Sequence, residues 1–159
     1  PQPLTQERVD LAKLVAATAD LARAAGLPPG IHLECRVPQQ PVPTQGAAAQ
    51  IQQVLLNLVQ NALQAVEGKE GGWVQISTTL EDSGQTPEAV IKVEDNGKGI
   101  VPIQLEKIFI PFFTTSPRGT GLGLSICQKI IETHRGRIEV ESTPGQRTCF
   151  TVRLPSSHF

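Results

Sequence analysis

The sequence predicts an α+β domain on three observations. Residues 47–66 repeat apolar side chains at steps of three and four, as one face of a helix does. Two stretches, 73–80 and 88–94, read as neighbouring strands. Helical and strand-like segments follow one another without the regular βαβ alternation of a doubly wound sheet. The chain has 159 residues with 39% hydrophobic content, which fits a single domain around one core.

Each element follows in order. Val9, Leu11, Leu14, Val15, Leu21 and Ala22 give an approximate helical period over residues 9–25, and Gly26 ends it. Pro28-Pro29-Gly30 turns the chain into a strand in which Ile31, Leu33, Cys35 and Val37 alternate with His32, Glu34 and Arg36. Residues 38–46 read as a polar, proline-rich connector. After the 47–66 helix, the strands at 73–80 and 88–94 are joined by a polar loop around Asp82-Ser83-Gly84, which suits antiparallel pairing. A helix from about Leu122 to Thr133 leads into a closing hairpin, Arg137–Ser142 and Thr148–Leu154 around a Pro144-Gly145 turn.

Composition excludes several classes. Net charge is −1 and no lysine or arginine cluster is present, so the footprint of a nucleic-acid binder is missing. No apolar run approaches the ~18–20 residues that cross a bilayer, and the first residues do not read as a signal peptide. A start at Pro1 suggests a fragment of a longer protein, whose membrane segments stay an open question. Cys35, Cys127 and Cys149 are odd in number, unclustered and set in apolar patterns, as reduced core residues of a cytoplasmic domain are.

On the 47–66 helix, Gln53, Asn57, Asn61 and Gln64 form a polar stripe along one edge of the apolar face. A solvated surface is one reading, but asparagine is a weaker helix former than the Glu, Lys or Ala an exposed face usually carries. A carboxamide oxygen can instead ligate magnesium while phosphates fill other positions of its octahedron, and Asn61 is the residue we favour for that role.

Asp95 ends a strand where the chain enters Asn96-Gly97-Lys98-Gly99. Its carboxylate caps the turn or accepts a hydrogen bond from the exocyclic amine of adenine, with Gly97 and Gly99 letting backbone approach the ring. Gly119-Thr120-Gly121-Leu122-Gly123-Leu124 is neither a Walker loop nor a dinucleotide fingerprint. It is a glycine loop opening into a helix, where free N–H groups and the positive dipole end suit phosphates and Arg118 and Thr120 add charge and a hydroxyl. Residues 114–121 suit a lid, with Phe109, Phe112 and Phe113 either its apolar anchor or simply core. Asn57 and Asn61, the Asp95 turn, the Phe109–Phe113 stretch and the second glycine run together describe a nucleotide site.

With these residues in view, the chain resembles the catalytic and ATP-binding domain of sensor histidine kinases, within the GHKL group that includes gyrase, Hsp90 and MutL. Gln53–Ala62 resembles the family's N box, Asp95–Gly99 its first glycine box, Ile108–Thr115 its F box and Gly119–Leu124 its second glycine box. The resemblance implies a two-layer sandwich, a mixed sheet of about five strands packed on three helices. It also implies Mg-ATP bound between the Asn-bearing helix and the lid. Asn57, Asn61 and Arg118 are then the catalytic positions and Asn61 the metal ligand. Asn57, Asn61, Gln64, Asp95, Gly97, Gly99, Ile100, Thr115, Ser116, Arg118, Gly119, Thr120, Gly121, Leu122, Gly123, Leu124 and Thr148 are the nucleotide contacts.

Within the group, ATPases place a glutamate four residues before the second N-box asparagine, where this chain has Asn57. A carboxamide cannot act as a general base on water, so efficient hydrolysis is not expected. Histidine kinases resemble this chain there, because their acceptor imidazole is already a nucleophile near neutral pH. None of His32, His134 and His158 begins a helical histidine–acidic motif, and His134 reads as structural. The resemblance therefore implies an acceptor histidine on a dimerisation domain before Pro1, residues 1–8 as a linker remnant, a homodimeric parent and a response regulator receiver domain as partner.

The chain departs from the family pattern at three positions. Gln64 replaces a common lysine, as in the nitrogen-regulatory-type branch; Ala47 replaces an aspartate and removes a helix cap; and Arg147 replaces a glycine beside Thr148. The competing reading is a degenerate nucleotide-binding or docking module, against which Asp95, Asn61 and the glycines stand intact.

Overall fold

The computed structural model describes residues 7–82, 86–114 and 123–156. The elements run β1 (Glu7–Asp10), α1 (Leu11–Ala25), β2 (His32–Arg36), β3 (Pro43–Gly46), α2 (Ala48–Val66), β4 (Trp73–Glu81), β5 (Glu88–Asp95), the one-turn α3 (Pro102–Leu105), α4 (Gly123–Thr133), β6 (Arg137–Thr143) and β7 (Arg147–Pro155).

Five strands form a mixed sheet in the order β2-β4-β5-β7-β6, antiparallel except for the parallel pair β2 and β4. Helices α1, α2 and α4 cover one face, packing on β2 and β4, on β4 and β5, and on β6 respectively. The expected sandwich is therefore present, with α3 as an additional single turn. The other face carries ion pairs: Arg153 bonds Glu81 at 2.6 Å and Glu139 at 2.8 Å, and Arg137 reaches Glu88 at 3.0 Å.

Helix α2 is the centre of the core because its apolar stripe is continuous. Ile51, Val54, Leu55, Leu58, Val59 and Val66 are completely buried, each contributing about 1.5–3 kcal/mol of transfer free energy. Helix α1 starts two residues later than its periodicity predicts, because Asp10 caps it: Oδ1 accepts from Ala12 N at 3.0 Å. The same oxygen accepts from Val42 N at 3.0 Å.

Residues before that cap differ from the sequence expectation. Glu7 and Arg8, placed with the linker by sequence, belong to β1, which pairs antiparallel with β3 inside the segment read as a connector. This small ribbon is fastened to the end of β7, where Thr44 Oγ1 donates to Pro155 O and Ser156 Oγ to Pro43 O, both at 2.8 Å. All three cysteines are free; Cys127 and Cys149 are buried, and burial pushes the Cys127 thiol up to about 12.

Candidate functional site

The site grows out of the sheet's register. Across β5, β7 and β6, Val93 stands beside Phe150 and Phe150 beside Val140, an apolar row under the helices. Two residues further along the same face the row becomes polar: Asp95, Thr148, Ser142. Ile100 N donates to Ser142 Oγ at 2.8 Å, and Ser142 donates to Arg147 O at 2.8 Å. Its single proton being spent, Ser142 accepts from the Thr148 hydroxyl at 2.9 Å, which leaves the Thr148 oxygen as an acceptor.

Asp95 is 3% exposed. Burial pushes its carboxyl up to about 6, opposed chiefly by the hydrogen bond from Gly97 N to Oδ1 at 2.8 Å. The turn cap that the sequence offers as the plain alternative is thus made, by Oδ1. Among the described residues no bond reaches Oδ2, so the cap occupies one oxygen of the carboxylate.

The glycines of the first turn are required by close approach. A Cβ on Gly97 would lie 2.4 Å from Ala65 O on α2, and one on Gly99, at φ +71, would lie 2.4 Å from Thr143 O. Lys98 N donates to Ala65 O at 3.3 Å and Gly145 N to Lys98 O at 2.6 Å, so the turn is clamped between the end of α2 and the β6–β7 turn. Asn96 is occupied with structure: its Oδ1 accepts from Trp73 N at 2.7 Å and its Nδ2 donates to Gly71 O at 3.0 Å.

Helix α2 presents Asn57 and Asn61 half-buried and Gln64 exposed. Gly123 opens α4 directly against Asn57, where a Cβ would fall 2.7 Å from Oδ1. Leu124 follows, half-buried against the core. Thr115, Ser116, Arg118, Gly119, Thr120, Gly121 and Leu122 lie outside the described residues. Phe109 and Phe113 pack on the core, Phe109 edge-on to Phe150 at 6.4 Å, whereas Phe112 is 74% exposed with a left-handed φ of 70. Of the two readings, Phe109 and Phe113 therefore follow the core one, and Phe112 does not.

A shallow groove of about 500 Å³ lies beside these residues, lined by Gln64, Ala65, Lys69, Gly97 and Lys98 among others. Neither Asn57, Asn61 nor Asp95 lines it, so it is a shelf next to the site and not the site itself.

Ser142 escapes the sequence reading, and two residues that it names, Arg147 and His134, have partners it does not give. Ser142 was recoverable by counting outward from the Pro144-Gly145 turn, which sets it opposite Thr148. Arg147 pairs with Glu94 at 2.7 Å. His134 is buried, as a structural histidine would be, but it also receives Ala47 N on Nε2 at 3.1 Å.

The family described as "Histidine kinase-, DNA gyrase B-, and HSP90-like ATPase" matches residues 46–158. The chain belongs to this family. It is 40% identical over 155 residues to the sensor histidine kinase ZraS of Salmonella typhimurium, covering 98% of this chain and 32% of that protein. It is 38% identical over 156 residues to the signal transduction histidine-protein kinase AtoS of Escherichia coli, covering 98% and 25%. A shorter match of 112 residues, at 47% identity, joins it to the sensory histidine kinase/phosphatase NtrB of Salmonella typhimurium, covering 67% of this chain and 32% of that one. The chain thus spans about a third or less of the length of these relatives. The catalytic domain of histidine kinase ThkA superposes with a TM-score of 0.79 at 33% identity over 96% of each chain. The mycobacterial sensor histidine kinase MprB gives 0.81 at 25% identity over 98% and 100%.

This is an ATP-binding catalytic domain of the histidine-kinase type. Among the described residues no helix is long and apolar enough to cross a membrane.

Proposed function

We propose that the chain binds Mg-ATP and donates the γ-phosphoryl group to a histidine on a separate dimerisation domain of a longer, homodimeric parent. The phosphoryl group would then pass to the receiver domain of a response regulator in the cytoplasm. The observation that supports this reading most is the buried Asp95 carboxylate, whose Oδ2 has no bond among the described residues, beneath a helix that presents Asn57 and Asn61.

Asp95 selects the base. Its carboxylate accepts the exocyclic amine of adenine and repels the carbonyl that guanine carries there. Thr148, with its oxygen left as an acceptor, and Gly97 and Gly99, with no side chains, give the ring a polar end and a close wall. Among the described residues no group of three His, Cys, Asp or Glu side chains is placed to hold a metal. A single Asn61 oxygen fits magnesium only in the manner usual for nucleotide sites, with most positions filled by phosphates and water. The ion, when bound, neutralises phosphate charge.

Positioning does the remaining work. Asn57, held against Gly123, and Asn61 one turn further on fix the phosphate end. Arg118, Thr115, Ser116, Gly119, Thr120, Gly121 and Leu122 are assigned to the phosphates as a lid, with the arginine supplying positive charge where it develops in the in-line transfer. Asn57 takes no proton, so water is not activated and the imidazole of the acceptor competes successfully for the phosphoryl group.

The test mixes the chain with the acceptor domain of its parent and ATP labelled on the γ-phosphate. Acid-labile, base-stable label on the acceptor is expected, lost by about a hundredfold or more in Asn61→Ala. Free phosphate without labelled acceptor would refute transfer.

A further inference from the structure

The helix that carries Asn57 and Asn61 has no cap of its own. Ala47, at the N-cap with φ −97 and ψ 105, offers no side-chain acceptor, and the first turn of α2 contains no acidic residue. Among the described residues, two side chains from elsewhere in the fold meet its N-terminus. Glu7 Oε1 accepts from Ala48 N at 3.1 Å, and His134 Nε2 accepts from Ala47 N at 3.1 Å. The His134 Nδ1–H donates to Ile130 O at 2.8 Å, which fixes the tautomer, and Gly46 makes room for the ring. Only Glu7 brings charge matched to the helix dipole, and it comes from β1, the first described element.

We propose that Glu7 is a positioning residue: by capping α2 from β1, it ties the chain entering the domain to the helix that carries Asn57 and Asn61. Asn57 lies nine residues beyond Ala48, about 14 Å along the axis, and Asn61 about 20 Å. The helix is packed along its length by completely buried Ile51, Val54, Leu55 and Leu58, so it moves as a rod and not by local bending. β3 anchors the other side of the ribbon to β7, so a displacement of β1 is transmitted to the start of α2 more readily than absorbed. The consequence for nucleotide binding rests on the function proposed above; the tie itself does not.

The experiment follows the Asn57 and Asn61 side-chain amide resonances, the thermal midpoint and the affinity for a magnesium-bound, non-hydrolysable ATP analogue. The wild-type chain is compared with Glu7→Ala and with Glu7→Ala combined with Ala47→Asp, which restores a local cap unattached to β1. Glu7→Ala is expected to lower the midpoint, shift both resonances and weaken the analogue about fivefold. The double variant should recover the midpoint while resonances and affinity stay at their Glu7→Ala values. Unmoved resonances in Glu7→Ala, or full recovery in the double variant, would overturn the tie. Shifted resonances with no analogue bound by any variant, wild type included, would uphold the tie and refute the nucleotide reading.

Discussion

Gly123 stands so close to Asn57 that a Cβ on the glycine would lie 2.7 Å from the carboxamide oxygen. The start of α4 and the middle of α2 therefore meet at Asn57. A neutral carboxamide can tolerate the approach of backbone, and glycine is the residue that permits it.

Replacing Gly123 by alanine is expected to displace the Asn57 side chain while the fold survives, because the obstructing atom ends a flexible side chain. Nucleotide affinity should fall about tenfold, the equivalent of about 1.4 kcal/mol. Titration calorimetry beside a thermal melt separates this from unfolding: a lost fold would mean the contact is structural.

Gly97→Ala should behave oppositely. Its new methyl would meet backbone, Ala65 O at 2.4 Å, which cannot swing aside. Overpacking of this kind costs about 1–3 kcal/mol. Gly68, with φ +77 and nothing within 4 Å, is the control, losing only about 1 kcal/mol of backbone preference on the same change. Urea titrations of the two variants should differ accordingly, and equal losses would contradict the clamped turn.

The Asp95 carboxyl gives a pH signature. Its folded value, raised by burial from 3.8 to about 6, exceeds the unfolded one, so the unfolded chain ionises first. The contribution of Asp95 to stability is thus fullest below pH 3.8, declines as pH rises to about 6 and is flat above. Asp95→Asn lacks this titration. Its stability relative to wild type should climb across that window, and a difference independent of pH would show that the carboxyl is not desolvated.

His134→Ala should cost about 1 kcal/mol, because it strands the Ala47 N–H at a half-buried helix start. Chemical denaturation measures the loss. His134 itself should carry no phosphate during turnover, since both ring nitrogens are bonded and the side chain is buried; peptide mapping of labelled protein checks this.

Legibility in the sequence followed physical locality. Helix α2 could be read to within a residue, since nineteen residues keep one apolar stripe. Strands β4 and β5 declared their antiparallel pairing through a short polar loop. β3 could not be read: Pro43-Thr44-Gln45-Gly46 has no alternation, and it is a strand only because Glu7–Asp10 lies beside it. Val9 was drawn into the helical period because a hydrophobic residue fits either element, although Asp10 marked the true start of α1. The parallel placement of β2 beside β4 depends on α1 packing across both, which no local pattern records. In the candidate site, Asp95, Asn57, Gly97, Gly99 and Gly123 stood out as motifs, and the structure gives each a close contact or bond. Glu7 and Ser142 did not, because each acts on a residue that only the tertiary fold brings near.

The most direct test of the central claim is calorimetric titration of the chain with non-hydrolysable ATP and GTP analogues, with and without magnesium, in wild type and Asp95→Asn. Magnesium-dependent binding of the adenine analogue alone is expected, abolished in Asp95→Asn with the fold retained. Equal affinity for the two bases, or unchanged affinity in the variant, would remove Asp95 from the site and contradict the account.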